Sequence, residues 1–149
     1  AGKQLDPVLT AQVLETLQPK GQQSSKRPKI YLVDSEAQQA DEMKAHLFRM
    51  GIDATVFPDG LSAVAAVKKS PPDLVITDIL VNKLDGFSLA ARLKADSVSM
   101  AIPIVFLSSS KRPEHSTKAL QLGAEDFLSK ESDPQFLMAK IEKILQRKK

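Results

Sequence analysis

The chain has 149 residues and contains neither cysteine nor tryptophan. Without cysteine there is no disulfide framework, no thiolate nucleophile and no cysteine-ligated zinc. Histidine is scarce as well: His46 and His115 stand far apart, so a histidine-rich metal centre is excluded. No run approaches the ~18 consecutive apolar residues of a membrane span, and no signal peptide heads the chain, which makes the cytoplasm the expected compartment and argues against a membrane partner. A glycine-rich phosphate loop is missing after the first apolar run, where Asp34-Ser35-Glu36-Ala37 stands, so a nucleotide-binding enzyme is not indicated. Excess charge is small, at +3. It is concentrated in residues 1–29, where Lys3, Lys20, Lys26, Arg27 and Lys29 face only Asp6 and Glu15, while residues 30–149 balance to zero. A neutral body argues against nucleic acid as the partner of this segment.

What is present is an alternation of strands and helices. Ile30-Tyr31-Leu32-Val33, Ala54-Thr55-Val56-Phe57, Leu74-Val75-Ile76-Thr77, Ile104-Val105-Phe106-Leu107 and Glu125-Asp126-Phe127-Leu128-Ser129 are short, largely apolar runs expected to be strands. Between them lie stretches with apolar residues at helical spacing, such as Ala40, Met43, Leu47 and Met50 before the stop at Gly51. Five such units imply an α/β fold, a parallel sheet with helices on both faces, because right-handed crossovers leave few alternatives. Residues 29–149 form this unit. Ahead of it, residues 1–28 read as a helix opened by Asp6-Pro7 and striped by Leu5, Val8, Leu9, Val13 and Leu17, then a polar linker. That helix is open to three uses: the tail of an upstream domain, a homodimer contact, or a lid.

Ligands in open parallel sheets sit at the carboxyl ends of the strands. There the chain places Asp34, Ser35 and Glu36, then Asp78, Ser108 and Lys130, each at the end of its own strand. An aspartate in this position can also serve only as a helix cap, but Asp85 lies nearer the next helix and is the better candidate for that task. Converging carboxylates repel unless a cation joins them, and an all-oxygen set suits Mg2+. Such a set fits a carboxylate nucleophile that accepts phosphate.

Taken in order, Ile30 to Asp34, Asp73 to Asp78 with Asp85-Gly86-Phe87, Pro103 to Ser108 and Gly123 to Lys130 resemble the receiver domain of two-component response regulators, chemotaxis regulators included. The resemblance covers residues 29–146 and implies a doubly wound, flavodoxin-like sheet with strand order 2-1-3-4-5. It implies Asp78 as phosphoacceptor, with Mg2+ held by Asp34, Asp78 and the Leu80 carbonyl, and Ser35 or Glu36 as further candidates. Ser108 would bond the phosphoryl group and Lys130 would neutralise it. Phe127 would change rotamer with Ser108 on activation, although a core aromatic is an equally good account of it. The implied partners are a sensor histidine kinase or phosphotransfer protein and a downstream effector, reached through the fourth helix, fifth strand and fifth helix. A phosphate-independent interaction module is the alternative.

Three positions depart from the family pattern. Ser35 replaces the usual second acid, and Glu36, one place on, points elsewhere on an ideal strand register. Asn82 stands where a proline is common. Glu131 replaces the proline that often follows the lysine, which bears on the loop geometry around Lys130.

Overall fold

A computed structural model describes residues 27–147; the expected amino-terminal helix lies outside them. Five strands and five helices alternate without exception: β1 (Lys29–Val33), α1 (Ala37–Arg49), β2 (Asp53–Phe57), α2 (Gly60–Lys69), β3 (Leu74–Thr77), α3 (Gly86–Ala95), β4 (Ile104–Ser108), α4 (Pro113–Gln121), β5 (Asp126–Ser129) and α5 (Pro134–Arg147). All pairings are parallel, and the sheet order is β2-β1-β3-β4-β5.

The apolar runs are continuous because both faces of the sheet are covered. Successive side chains point to opposite faces of a strand, and the core divides accordingly. Ile30, Leu32, Leu74, Ile76, Val105 and Leu128 pack with Met43 and Leu47 of α1 and with Leu137, Ile141 and Ile144 of α5. Tyr31, Val33, Val75, Ile104 and Phe106 pack on the other face with Val64 and Val67 of α2, Leu89 and Leu93 of α3, and Ala119 of α4. β3 is buried at every residue, Thr77 included. Its central place in the order puts the next residue, Asp78, in the middle of the carboxyl edge.

Two caps start the helices beside that edge. Asp85 accepts from the Ser88 amide at 2.8 Å and caps α3, the task expected of it, and Asp59 does the same for α2 through Ser62 at 2.7 Å. That bond is the main reason the Asp59 carboxyl stays below its usual range, with the Ser62 hydroxyl helping and burial opposing slightly. Among the described residues no helix is long and apolar enough to cross a membrane.

Candidate functional site

At the carboxyl edge, β1 is followed directly by Asp34, β3 by Asp78 and β5 by Lys130. The Lys130 ammonium lies 2.6 Å from Asp78 Oδ2, 3.0 Å from Asp34 Oδ2 and 2.8 Å from Glu36 Oε1. Carboxylate oxygens of the three acids lie within 4.8 Å of one another. The side chains of Lys130, Asp34 and Asp78 keep only 8, 12 and 13% of their exposure, so this charge is held with little water. Burial disfavours the Lys130 ammonium, but hydrogen bonds to Asp78, Glu36 and Asp34 outweigh it and hold the group above lysine's ordinary range. Asp78 is fixed on its other oxygen as well, where Oδ1 accepts from the Ile79 amide at 2.6 Å.

The position of Glu36 corrects the register-based expectation. β1 stops at Val33, so strand alternation no longer governs residue 36. Instead Asp34 Oδ1 accepts from the Glu36 amide at 2.9 Å, closing a tight local turn that returns the glutamate over the pocket. Ser35, the other further candidate, is engaged in loop contacts. Its hydroxyl donates to the Pro58 carbonyl at 3.2 Å and accepts from the Asn82 amide at 3.1 Å, which ties the β1–α1 loop to the loops after β2 and β3. Asn82 is held on its carbonyl too, by the amides of Gly60 and Leu84. This clamp explains Gly60, where a Cβ would fall 2.2 Å from the Leu84 oxygen. At Gly86 a Cβ would fall 2.0 Å from the Asp78 carbonyl oxygen, so only glycine lets α3 start against the site.

Leu80 lies in the same loop with its side chain 81% exposed. At residue 131 the chain uses an amide that proline lacks: Glu131 donates to Ser129 Oγ at 3.1 Å, and its carboxylate pairs with Lys111. The peptide bonds of the described residues are trans throughout.

Ser108 is buried at the end of β4, in register with Ser129, and its carbonyl accepts from the Lys130 amide at 3.0 Å. Its hydroxyl accepts from the Ser110 amide at 3.0 Å. Ser110 Oγ is in turn 2.6 Å from His115 Nδ1, a contact that sequence spacing did not reveal. Phe127 is half-buried, with its ring nearly parallel to that of Phe106 at 6.2 Å between centroids. The fold thus brings Asp34, Glu36 and Asp78 into contact with Lys130, sets Ser108 on the neighbouring strand end, keeps Ser35 in the loop between Asp34 and Glu36, and leaves Phe127 against the core at Phe106.

Comparison with known proteins agrees with this geometry. The family model described as the response regulator receiver domain matches residues 30–142. The chain belongs to that family. As a receiver it is 28% identical over 120 residues to the DNA-binding dual master transcriptional regulator RpaA of Synechocystis, covering 80% of this chain and 50% of that protein. It is 32% identical over 121 residues to the DNA-binding response regulator MtrA of Mycobacterium tuberculosis, covering 81% and 52%. The chain therefore spans about half the length of these curated relatives. Among solved structures, the receiver domain of the Francisella response regulator 1452 superposes with a TM-score of 0.76 at 27% identity, covering 82% of this chain and 99% of that one. The BeF3-activated N-terminal receiver domain of RstA from Klebsiella pneumoniae gives 0.74 at 29%, covering 78% and 97%.

Receivers generally bind Mg2+ at an acidic pocket, and the donor set here fits such an ion. It is made of carboxylate oxygens, and the lysine ammonium already stands among them as a tethered cation. Around octahedral Mg2+ opposite oxygens lie about 4.2 Å apart and adjacent ones about 3.0 Å at a ~2.1 Å bond, so the acids, now within 4.8 Å of one another, would have to draw together around the ion.

Proposed function

We propose that this receiver is a phospho-accepting switch: Asp78 takes a phosphoryl group from a histidine kinase or phosphotransfer protein, and the change in charge alters partner binding. The contact of Lys130 with Asp34, Glu36 and Asp78 carries the reading, since it joins a nucleophile, metal-type ligands and a counter-charge in one pocket. A carboxylate oxygen of Asp78 attacks phosphorus in line with the P–N bond of a phosphohistidine. An O–P bond forms, the P–N bond breaks, and its electron pair leaves with the imidazole nitrogen. Asp34, Asp78 and the Leu80 carbonyl would hold Mg2+, which when bound would supply charge neutralisation. Lys130 follows the new negative charge and pairs with a phosphoryl oxygen.

The readout begins at Ser108. Once a phosphoryl oxygen stands on Asp78, the Ser108 hydroxyl donates to it and gives up the Ser110 amide. The β4–α4 loop then shifts, and Phe127 turns inward off Phe106 to fill the space. The surface of α4, β5 and α5, including Lys111 and Arg112, is repacked for an effector. RpaA and MtrA are named as DNA-binding regulators, so the effector output suggested here is transcriptional, through a segment outside residues 29–149.

Treatment of the full chain with BeF3 and millimolar Mg2+ is expected to shift amide resonances of Asp78, Ser108 and Phe127, and acetyl phosphate to add one phosphoryl mass. Absence of both responses favours the second reading, a phosphate-independent interaction module, which draws on the diversion of Ser35 to loop contacts. On that reading Asp78→Asn leaves partner binding unchanged.

A further inference from the structure

We infer that Glu36 is a working ligand of the cation site, and that Ser35 has left ligand duty to staple the surrounding loops. The inference rests on the switch reading above and assigns roles within the same pocket. A serine hydroxyl offers one donor and two acceptor positions. In Ser35 the donor goes to the Pro58 carbonyl and one acceptor to the Asn82 amide, contacts that aim the oxygen at the loops after β2 and β3. Turning it toward a metal would give up both bonds, which are exposed and each of modest net worth, for the weak coordination of a neutral oxygen.

Glu36 has the opposite character. It lies at the N-cap of α1, its amide fixed by Asp34, while its side chain keeps 59% of its exposure and retains freedom to move. A long side chain of this kind can follow a cation as Lys130 shifts. The charges also match: three carboxylates and one ammonium leave a formal excess of two negative charges, which one divalent ion neutralises. Removing the Glu36 charge leaves an excess of one and deletes a ligand that already touches a cation at 2.8 Å.

The test is a Mg2+ titration of the full chain, read from the amide resonances of Asp34 and Asp78. Glu36→Gln is expected to weaken Mg2+ binding at least about tenfold, between the fewfold effect of a unit charge pair in bulk water and the much larger one near a protein surface. Ser35→Ala is expected to keep affinity within about twofold while speeding hydrogen exchange at the Asn82 amide. Glu42→Gln, on the same helix and with the same change in net charge, controls for long-range electrostatics and should also stay within about twofold. The inference is overturned if Glu36→Gln binds like the wild type, if Glu42→Gln weakens binding as much, or if the tenfold loss falls on Ser35→Ala. A wild-type protein that gives no Mg2+ response sinks the switch reading itself, a result distinct from those three.

Discussion

Two sets of contacts along the carboxyl edge are built on different physics. At the ends of β1, β3 and β5 three carboxyl groups crowd around one ammonium and the contacts are ion pairs: Lys130 with Asp34, Glu36 and Asp78. Around Ser108 the contacts are single hydrogen bonds and not ion pairs, from the Ser110 amide to Ser108 Oγ and between Ser110 Oγ and His115 Nδ1. Charge pairs with little water are costly to separate unless another charge takes their place. Single neutral hydrogen bonds are worth only about 1 kcal/mol net. On the proposed reading, one set is a charge trap that would answer to ions and phosphate, and the other a light latch that would follow it. A switch needs both, because a latch as strong as the trap would never move.

The largest effect should come from emptying the trap. Lys130→Met leaves three carboxylates facing one another, with an expected loss of about 3 kcal/mol in urea unfolding, the usual scale for breaking a buried pair. Mg2+ should restore much of that loss, because a ligand that binds only the folded state stabilises it by mass action. The mutant's unfolding midpoint should therefore rise more steeply with Mg2+ than the wild type's. Equal slopes would mean that Lys130 does not compete for the cation site.

Next in size is Gly86→Ala. A methyl group 2.0 Å from the Asp78 carbonyl oxygen forces α3 away from β3, and a loss of about 2–3 kcal/mol is expected. Asp78 would be displaced with it, so the amide shift on BeF3 addition should shrink. A variant that folds and responds normally would show that the trap tolerates movement of its backbone, against the contrast drawn here.

Ser110→Ala probes the latch. It removes the contact to His115 Nδ1 and the Oγ acceptor of the Arg112 amide but keeps the amide that binds Ser108. The expected cost is about 1 kcal/mol, with Mg2+ affinity unchanged and a larger response of Ser108 to BeF3. A change in Mg2+ affinity would mean that the two sets are already coupled before phosphorylation.

How much of this could be read in the sequence follows the same division. The strands announced themselves as β-branched runs, Asp85 as a cap and Asp78 as the acid left without a capping role. Those signals are local. Glu36 was kept as a candidate, but its direction was misread because the period-of-two rule was carried past Val33, where the strand has ended and an aspartate turn takes over. The task of Ser35 was invisible for another reason: Pro58 and Asn82 are distant in sequence, and a serine carries no mark of where its hydroxyl will bond. The Ser110–His115 contact spans five residues at the start of α4, and serine and histidine at that spacing occur in many loops without touching.

The smallest expected effect is on pH dependence, and its sign follows from Lys130. A lysine held above its ordinary range in the folded state contributes stability that is fully present below the unfolded value, ~10.4, and is lost as pH rises through the folded one. The contribution from the trap should therefore be flat across neutral pH and decline only in strong alkali. Urea midpoints of wild type and Lys130→Met, compared from pH 7 to pH 11, should keep a constant separation until about pH 10 and then converge slightly. Taking the difference cancels Tyr31 and the other lysines, which both proteins share. A separation that stays constant up to pH 11, or that widens, would mean that the ammonium is not held by its three acids, and the trap would then be no stronger than the latch.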